Sequence, residues 1–281
     1  MLGECLSLNP DGRGRLTLAG VLQGFPETAH GGGILAALDL AGARWINPAT
    51  TPRTITAEIQ KSVPLETTLP LGVQVTATEV SLVLGDDGQA LARGRVTLAA
   101  PEPGSRRNRE IPAGRGRGLP TSRGCIACGS ENTVGLRIQL HFDDRRVWSE
   151  YRPPETYRTS DGRIAPALYT VLLDEMAWWL GALASGEAGV TTELVVTLHR
   201  PGHPFGETLL AIGARDRVTA TGERGHFWKT ETAILASDCA LLASGAITFA
   251  GSRAYSKRLI PTLLAINPPE SLRPIFPRHI P

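Results

Sequence analysis

The chain has 281 residues, of which 42% are hydrophobic and 20% charged, and its formal net charge is +2. This balance is typical of a globular protein with room for two modest domains, and the small charge indicates no particular class of partner. No apolar run approaches the ~20 residues of a membrane span, and four cysteines in a chain of this length do not make a disulfide scaffold. The N-terminus lacks the basic-then-apolar pattern of a signal peptide, so we expect a reducing cytoplasm.

The first half of the chain predicts one helix followed by antiparallel strands. Residues 1–20 form a polar lead-in with a turn at residues 9–12, and a buried helix is expected from about 31 to 45. The predicted strands are 53–61, 69–83 and 90–99. The sequence Asp-Asp-Gly at residues 86–88 indicates a hairpin turn. One helix followed by such strands is an α+β arrangement.

The predicted helix begins at His30 with three glycines, Gly31 to Gly33. Glycines let the backbone turn tightly and let another molecule approach it closely. The residues that follow have almost no polar surface, so the helix should be buried. Asp39 lies inside this apolar run, and a carboxylate there needs a partner or a function because burying it unpaired is costly.

The second half of the chain repeats this pattern. The stretch from Ala165 to Asp174 has the same length as the stretch from His30 to Asp39, and the two aspartates are 135 residues apart. The other matching segments are 56–58 with 191–193 and 91–99 with 242–250. The last pair is offset by 151 residues, so we expect longer hairpins around 216–226. The fold unit, one long helix and a curled antiparallel sheet, is therefore predicted to occur twice.

Residues 101–124 are rich in Gly, Pro and Arg and nearly free of core residues, which predicts a linker. Its arginines could contact nucleic acid, but a solvated connector explains the composition, and we predict no nucleic-acid partner. The predicted units are an N-terminal unit at 1–100, the linker at 101–124, a C-terminal unit at 125–250 and a proline-rich tail, packed on the surface, at 251–281.

Three segments together carry a resemblance to a known family. The segments are His30-Gly31-Gly32 with Asp39 nine positions on, Cys125-Ile-Ala-Cys128-Gly129 continuing to Leu136, and a strand ending at Arg200-Pro201. On the basis of these segments the chain resembles the hotdog-fold acyl-CoA thioesterases. The resemblance covers nearly all of residues 15–250, as two tandem units. The resemblance implies two hotdogs paired side by side with their sheets joined edge to edge, a pseudo-dimer within one chain.

Thioester hydrolysis needs a polarised carbonyl and a water molecule or carboxylate delivered to it. The N-terminus of a buried helix can hold the developing oxyanion through its unpaired N–H groups and dipole, and Gly31 suits that role. An aspartate can act as general base or nucleophile. His30 and Asp39 are about 13.5 Å apart along one helix, so the carboxylate at Gly31 must come from a neighbouring helix. The resemblance implies that it comes from the paired hotdog.

Two composite sites are then conceivable, Gly31 with Asp174 and Pro166 with Asp39. Proline is tolerated in the first turn of a helix, but it has no N–H and cannot donate to an oxyanion. We therefore predict one working site, with Gly31 as the oxyanion donor and Asp174 as general base or nucleophile.

Further residues are assigned to this site. His30 joins the catalytic group, with helix capping as the structural alternative, and Glu175 is a competing carboxylate. Thr191 or Thr192 is expected to hold the water or orient Asp174, because the family often has a hydroxyl there, although both also suit a strand edge. The predicted substrate contacts are Gly32, Gln23 and Asp39. For Gln23 the alternative is a solvated loop residue, and for Asp39 a structural polar group.

Cys125 and Cys128 form a lone Cys-x-x-Cys pair. A structural zinc site needs four ligands, usually two such pairs, and the other cysteines lack the spacing, so we predict no metal and no organic cofactor. The expected substrate is an acyl thioester of CoA or of acyl carrier protein. The alternatives are a non-catalytic acyl-CoA-binding or regulatory protein and a hotdog dehydratase or hydratase, which the loop at His203 resembles. A homodimer of the whole chain is left open.

Overall fold

A computed structural model describes residues 6–9, 11–45, 51–86, 88–99, 116–222 and 226–280. The helices in this part of the chain are α1 (Gly31–Gly42), α2 (Pro166–Ser185), α3 (Arg253–Leu264) and α4 (Pro269–Leu272). The strands are β1 (Leu6–Leu8), β2 (Arg13–Thr17), β3 (Arg53–Ile59), β4 (Thr68–Val75), β5 (Glu79–Asp86), β6 (Gln89–Leu98), β7 (Arg117–Gly118), β8 (His141–Phe142), β9 (Arg146–Tyr151), β10 (Gly189–Leu198), β11 (Leu209–Ala214), β12 (Thr219–Thr221), β13 (Phe227–Leu235) and β14 (Leu241–Gly251).

The strands form one antiparallel sheet whose order is symmetric about its centre. The order is β1-β2-β4-β5-β6-β3-β10-β14-β13-β11-β9-β8-β7, with β12 beside β13. Outward from the β3–β10 pair, β6-β5-β4-β2-β1 on one side corresponds to β14-β13-β11-β9-β8 on the other. At the junction Glu58 lies opposite Glu193 and Arg53 opposite Leu198. The predicted α+β tandem arrangement, with two sheets joined edge to edge, is confirmed.

The two long helices lie against each other and against this sheet. Both are apolar on nearly every side, and residues such as Leu35 in α1 and Leu172 in α2 are fully buried. The helices approach most closely at the start of α1, where a Cβ on Gly32 would lie 2.3 Å from the carbonyl oxygen of Thr170. Only glycine permits this backbone contact, and it brings the middle of α2 to the N-terminus of α1.

The first half differs from the prediction in two places. The segment predicted as one strand over 69–83 is two strands, β4 and β5, because the hydroxyl of Thr76 accepts hydrogen bonds from the N–H groups of Thr78 and Glu79 and closes a turn. The predicted lead-in is a hairpin of β1 and β2, in which Gly12 has a φ of 80°. A hydroxyl turn inside a run of β-formers leaves little trace in the hydrophobic pattern.

Most of the predicted linker, residues 101–115, lies outside the described residues. The residues that follow are packed: β7 pairs with β8, Leu119 is buried, and the backbone of Thr121 exchanges hydrogen bonds with the side chain of Asn267. The linker prediction is therefore wrong for 116–124, where backbone pairing and one apolar anchor outweigh the polar composition. The other domain boundaries stay predictions.

The residues after β14 are buried more deeply than a surface tail. The apolar residues of this segment that join the core are Leu259, Ile260, Leu263, Leu272, Ile275, Phe276 and Ile280. Their spacing within α3 is that of an amphipathic helix. The prediction that the proline-rich tail packs on the surface is therefore wrong about its burial. The apolar residues of α3 are few and are interspersed with prolines and arginines, so their helical spacing was not recognised in the sequence.

Glu187 fastens this C-terminal segment to the end of α2. Its Oε2 accepts a hydrogen bond from the hydroxyl of Ser256 at 2.6 Å and lies 2.7 Å from Nε2 of His279. Burial raises the pKa of Glu187, but the hydrogen bonds to Ser256 and His279 outweigh it and hold the pKa below its usual range. The ionised carboxylate is therefore the form that stabilises the docked segment.

We expect Glu187→Gln to lower the stability of the protein by about 1 kcal/mol near neutral pH. Because the folded pKa is depressed, the contribution of Glu187 is present above the unfolded pKa and lost as the pH falls through the folded value. The variant should therefore lose less stability than the native protein when the pH falls below about 4.5. Urea denaturation over this pH range measures both effects, and parallel pH profiles for the two proteins would contradict the assignment.

Candidate active site

The N-terminus of α1 faces a carboxylate from α2. Oδ2 of Asp174 accepts a hydrogen bond from the N–H of Gly32 at 2.7 Å, and Oδ1 accepts one from the hydroxyl of Thr191 at 2.8 Å. A Cβ on Gly31 would lie 2.7 Å from the same Oδ2, so only glycine leaves room for the carboxylate. The structure thus brings together Gly31 and Asp174, which the sequence assigns to one composite site.

The N–H of Gly31 points at no acceptor within the part of the chain that the structure describes. The first N–H groups of a helix have no partner inside the helix, and that of Gly32 is already held by Asp174. Gly31 also lines a cavity, so its N–H is open to a ligand. A free donor at the positive end of a buried helix, next to a carboxylate, can hold an oxyanion.

His30 caps α1 and lies between two carboxylates. Its Nδ1 is 3.1 Å from Oδ2 of Asp174, and its Nε2 is 3.3 Å from Oε2 of Glu175. Burial lowers the pKa of His30, but the charge of Asp174 and hydrogen bonds to Cys125 and Glu175 outweigh it and raise the pKa well above 6.5. The N–H of Gly32 lies within hydrogen-bond distance of both Nδ1 of His30, at 3.1 Å, and Oδ2 of Asp174, at 2.7 Å. A neutral ring with a bare Nδ1 can accept this N–H, whereas the protonated ring that the raised pKa favours donates to Asp174 instead and leaves the N–H of Gly32 to the carboxylate.

The two carboxylates of α2 are shifted in opposite directions. Burial raises the pKa of Asp174 above its usual value, and the charge of His30 and the hydroxyl of Thr191 only partly oppose this. Burial acts on Glu175 too, but the hydrogen bond and charge of His30 outweigh it, so the pKa of Glu175 is lowered. The lowered pKa favours the ionised form of Glu175, whereas Asp174 has the raised pKa that suits a general base.

A cavity of about 580 Å³ lies in front of these groups. Its walls come from both halves of the chain and from α3, and their apolar part includes Ile34, Trp178 and Leu259. Two exposed cations, Lys61 and Arg258, also line it. A concave, mostly apolar cavity with a few convergent polar groups is the usual form of a small-molecule site.

Neither a family model nor a curated protein matches this sequence. Several solved structures, in contrast, match this chain. One, named as a thioesterase II from Thermobifida fusca, aligns with a TM-score of 0.64 at 12% identity over 90% of this chain and 99% of its own. The chain has the hotdog fold. A thioesterase-named structure from Novosphingobium aromaticivorans aligns at 0.59 and 18% identity over 88% of this chain and 98% of its own.

Dehydratases share this hotdog architecture. A CurJ dehydratase structure aligns with a TM-score of 0.62 at 13% identity, over 91% of this chain and 96% of its own. At such identities the likeness shows the fold, and the chemistry has to be argued from the site. In the described residues, none of the helices has the length and apolar character that crossing a membrane requires.

The equivalent position in the first hotdog unit is built differently. Both oxygens of Asp39 accept hydrogen bonds from the guanidinium of Arg53, each at 2.6 Å, and both side chains are buried. Asp39 is not among the described residues that line the cavity. The predicted substrate contact of Asp39 is corrected to a structural ion pair, because Arg53 engages both carboxylate oxygens. Arg53 occupies an inward-facing position of β3, and a buried arginine needs an acidic partner, which could have indicated this ion pair from the sequence.

The start of α2 lacks the donor arrangement of α1. Pro166 occupies the first turn, and Ala165 caps the helix without any side-chain hydrogen bond. The second hotdog unit therefore offers no equivalent of the open N–H of Gly31, which agrees with the reasoning from the sequence.

Two other predicted substrate contacts lie away from the cavity wall. The carbonyl of Gln23 accepts the N–H of Ile126 at 2.7 Å, so Gln23 fastens the loop that carries Cys125. Gly32 is packed against α2 and donates to Asp174. Neither is among the described residues that line the cavity, so their geometry supports positioning rather than substrate contact.

Three further groups complete the site. Glu175 lines the cavity together with Asp174. Adjacent helical side chains point about 100° apart, and the ring of His30 lies between these two carboxylates and contacts both. Cys125 and Cys128 line it as well. A hydrogen bond with Cys128 lowers the pKa of Cys125 to about 7. From the sequence, Glu175 was considered only as an alternative carboxylate to Asp174. No local sequence pattern indicates that Glu175 lies close to Cys125.

The structure separates the two threonines that the sequence left as alternatives. Thr191 donates to Asp174, whereas Thr192 donates to the carbonyl of Thr248 at 3.3 Å.

We expect Thr191→Val to lower kcat for acyl thioester hydrolysis, if that is the reaction, by about tenfold, because one hydrogen bond to a charged group is worth roughly 1.5 kcal/mol. Steady-state kinetics measure this, with Thr197→Val on the same strand as control. Equal kcat values in both variants would contradict an orienting role.

Proposed function

We propose that this protein hydrolyses acyl thioesters, with acyl-CoA as the substrate class, at one site between the two hotdog units. The observation that carries the proposal is the pairing of an open N–H at Gly31 with the buried carboxylate of Asp174 inside a cavity. Hotdog structures named as thioesterases support the same class of chemistry. No resident cofactor is part of the proposed reaction.

The proposed reaction begins with the thioester oxygen at the N–H of Gly31. Asp174 takes a proton from a water molecule, the resulting hydroxide attacks the carbonyl carbon, and the N–H and helix dipole stabilise the oxyanion. The C–S bond then breaks, and the thiolate receives the proton from Asp174. A base role suits Asp174 better than direct attack, because donors already hold both of its carboxylate oxygens.

His30 has a positioning role in this scheme. Its ring is held between Asp174 and Glu175, and its positive charge offsets the cost of keeping two carboxylates buried side by side. The same contacts fix the carboxylate of Asp174 at the start of α1. Capping uses an unprotonated Nδ1 that accepts the N–H of Gly32, whereas the electrostatic role uses the protonated ring, so the two roles belong to two protonation states of one ring position.

The lining of the cavity suits a CoA thioester. Apolar groups such as Trp178 and Leu259 would contact the acyl chain, and the exposed cations Lys61 and Arg258 would contact phosphate groups. An acyl carrier protein presents the same phosphopantetheine thioester. The proposal favours CoA, since both cations belong to the cavity itself.

The test is a panel of saturated acyl-CoAs of increasing chain length, with released CoA measured by a thiol reagent. We expect turnover with a clear preference for one range of chain lengths. Acyl carrier protein thioesters form the second arm and separate the two carriers. Saturable binding without release of thiol would replace the hydrolase by the non-catalytic acyl-CoA-binding alternative, and neither binding nor release would contradict both.

A dehydratase is the second candidate, favoured by the contact between the ring of His30 and Asp174 and by the CurJ dehydratase structures. A dehydratase acting on a 3-hydroxyacyl thioester would form a conjugated double bond and leave the thioester intact. Incubation with 3-hydroxyacyl-CoA, followed by mass analysis, distinguishes loss of water from loss of CoA. His203, in the loop that resembles a dehydratase, lies away from the cavity, beside Glu207 at 3.5 Å.

The proposal places the protein in a reducing cytoplasm, which suits the free thiols of Cys125, Cys128 and Cys239. A homodimer of the whole chain stays a prediction, and native mass spectrometry tests it.

A further inference from the structure

A set of metal-ligand side chains meets beside the proposed base. A ring nitrogen of His30, Sγ of Cys125 and a carboxylate oxygen of Glu175 all lie within 4.8 Å of one another, and all three residues are buried. They come from three separate parts of the chain: the cap of α1, the loop before β8, and α2. Hydrolysis as proposed above does not use the thiol of Cys125, and it uses Nε2 of His30 only in the contact with Glu175, so the thiol calls for another role.

We propose that His30, Cys125 and Glu175 bind one zinc ion. Oε2 of Glu175 is 3.3 Å from Nε2 of His30 and 3.7 Å from Sγ of Cys125. Zinc bonds of about 2.0–2.2 Å to nitrogen and oxygen and about 2.3 Å to sulfur, at tetrahedral angles, place ligand atoms roughly 3.3–3.7 Å apart. Two edges of the tetrahedron are therefore already formed by the side chains as they stand.

The surrounding groups are arranged as supporting contacts of such a site. Nδ1 of His30 lies 3.1 Å from the carboxylate of Asp174, which directs Nε2 towards the ion. The indole N–H of Trp179 donates to Oε1 of Glu175 at 2.9 Å and leaves Oε2 free to coordinate. The N–H of Ala127 donates to Sγ of Cys125 at 3.3 Å, which stabilises a thiolate. Each of the three ligands is thus oriented by a second group.

The charge of the three ligands suits a divalent cation. The thiolate of Cys125 and the carboxylate of Glu175 balance the dication, and a neutral imidazole of His30 adds no charge. Any ligand protons displaced on binding pass to solvent, and no oxidant or reductant is needed. The cluster can therefore hold the ion without leaving an uncompensated charge in the core.

The fourth position of the ion is available on the side of the cavity, which all three ligands line. Cys128 also lines the cavity, and its thiol donates to the hydroxyl of Ser122 at 3.9 Å. Three protein ligands and an exchangeable fourth position form a common zinc arrangement. The Cys-x-x-Cys pair alone lacks two ligands, and the fold supplies a histidine and a carboxylate to it.

The test uses the full-length protein, kept reduced, loaded with Zn²⁺ and then passed through a column with a weak chelator. We expect about one zinc per chain by elemental analysis. Cys125→Ser should weaken zinc binding at least about tenfold, whereas Cys239→Ser, which changes a cysteine away from the cavity, should bind zinc like the native protein. Cobalt loading should give a thiolate-to-metal absorption band in the native protein and in Cys239→Ser but not in Cys125→Ser.

Native protein that retains no zinc would overturn the inference, and so would unchanged zinc affinity in a folded Cys125→Ser variant. Circular dichroism establishes the fold of each variant, and Glu175→Gln, which keeps the shape of the side chain, repeats the test at a second ligand. Assaying acyl-CoA hydrolysis in the zinc-free protein separates the two hypotheses. Hydrolysis by a protein that does not bind zinc would contradict only the proposed metal site. Zinc binding by a protein that does not hydrolyse acyl-CoA would contradict only the proposed reaction.

Discussion

Replacing Asp174 by Asn is expected to lower kcat for acyl-CoA hydrolysis at least about 10³-fold while the protein stays folded. An amide cannot accept the proton of the attacking water, and general-base catalysis typically supplies about 10²–10⁴ in rate. The Asn side chain has the same shape, and its oxygen can still accept the hydrogen bond that Gly32 donates to Asp174. KM should therefore change little compared with kcat.

The measurement is release of CoA under saturating substrate, with the exposed residue Asp216 changed to Asn as the control. That control removes one carboxylate without touching the cavity and should retain native kinetics. A folded Asp174→Asn variant with kcat within about threefold of the native value would remove Asp174 from the reaction.

Replacing Asp39 by Asn is expected to cost about 3–5 kcal/mol of folding free energy, because it removes the charged carboxylate that accepts two hydrogen bonds from the buried guanidinium of Arg53. The same substitution in the second hotdog unit, Asp174→Asn, is expected to affect the proposed reaction instead. Activity per folded molecule of Asp39→Asn should be native-like when it is measured at a temperature where the variant is folded. We therefore propose that one aspartate of the repeated pair is structural and the other catalytic.

Urea denaturation measures the loss of stability. A double variant, Asp39→Leu with Arg53→Met, should recover most of it, because replacing both partners of a buried ion pair with apolar groups is close to neutral. A loss below about 1 kcal/mol in Asp39→Asn would contradict the ion-pair account. A folded Asp39→Asn variant without activity would contradict the division of roles.

The tandem architecture was predictable because it depends on features that repeat along the chain. The spacing of Asp39 and Asp174 identifies two copies of one helix, and the rise of a helix shows that Gly31 must receive its carboxylate from a neighbouring helix. That this neighbour is the other copy was implied by the resemblance to the hotdog thioesterases, and the structure has Asp174 at the start of α1. Pattern, geometry and the resemblance together predicted this part of the site.

The rest of the site depends on contacts that no local pattern encodes. Arg53 reaches Asp39 across the space between a strand and a helix, and its place in an alternating strand predicts burial but not its partner. Cys125 meets Glu175 only because the loop is fastened at Gln23 and packed on α2. The Cys-x-x-Cys pair therefore looked isolated in the sequence, although a histidine and a carboxylate lie beside it in the fold.

Counting binding sites tests the central claim, one composite site per chain, most directly. The measurement is isothermal titration of the native protein with a thioether analogue of its preferred acyl-CoA, which cannot be hydrolysed. We predict one analogue bound per chain, because in the described residues the α1 end has an open donor at Gly31 facing a carboxylate, whereas the α2 end begins with Pro166. Two equivalent sites per chain would contradict it.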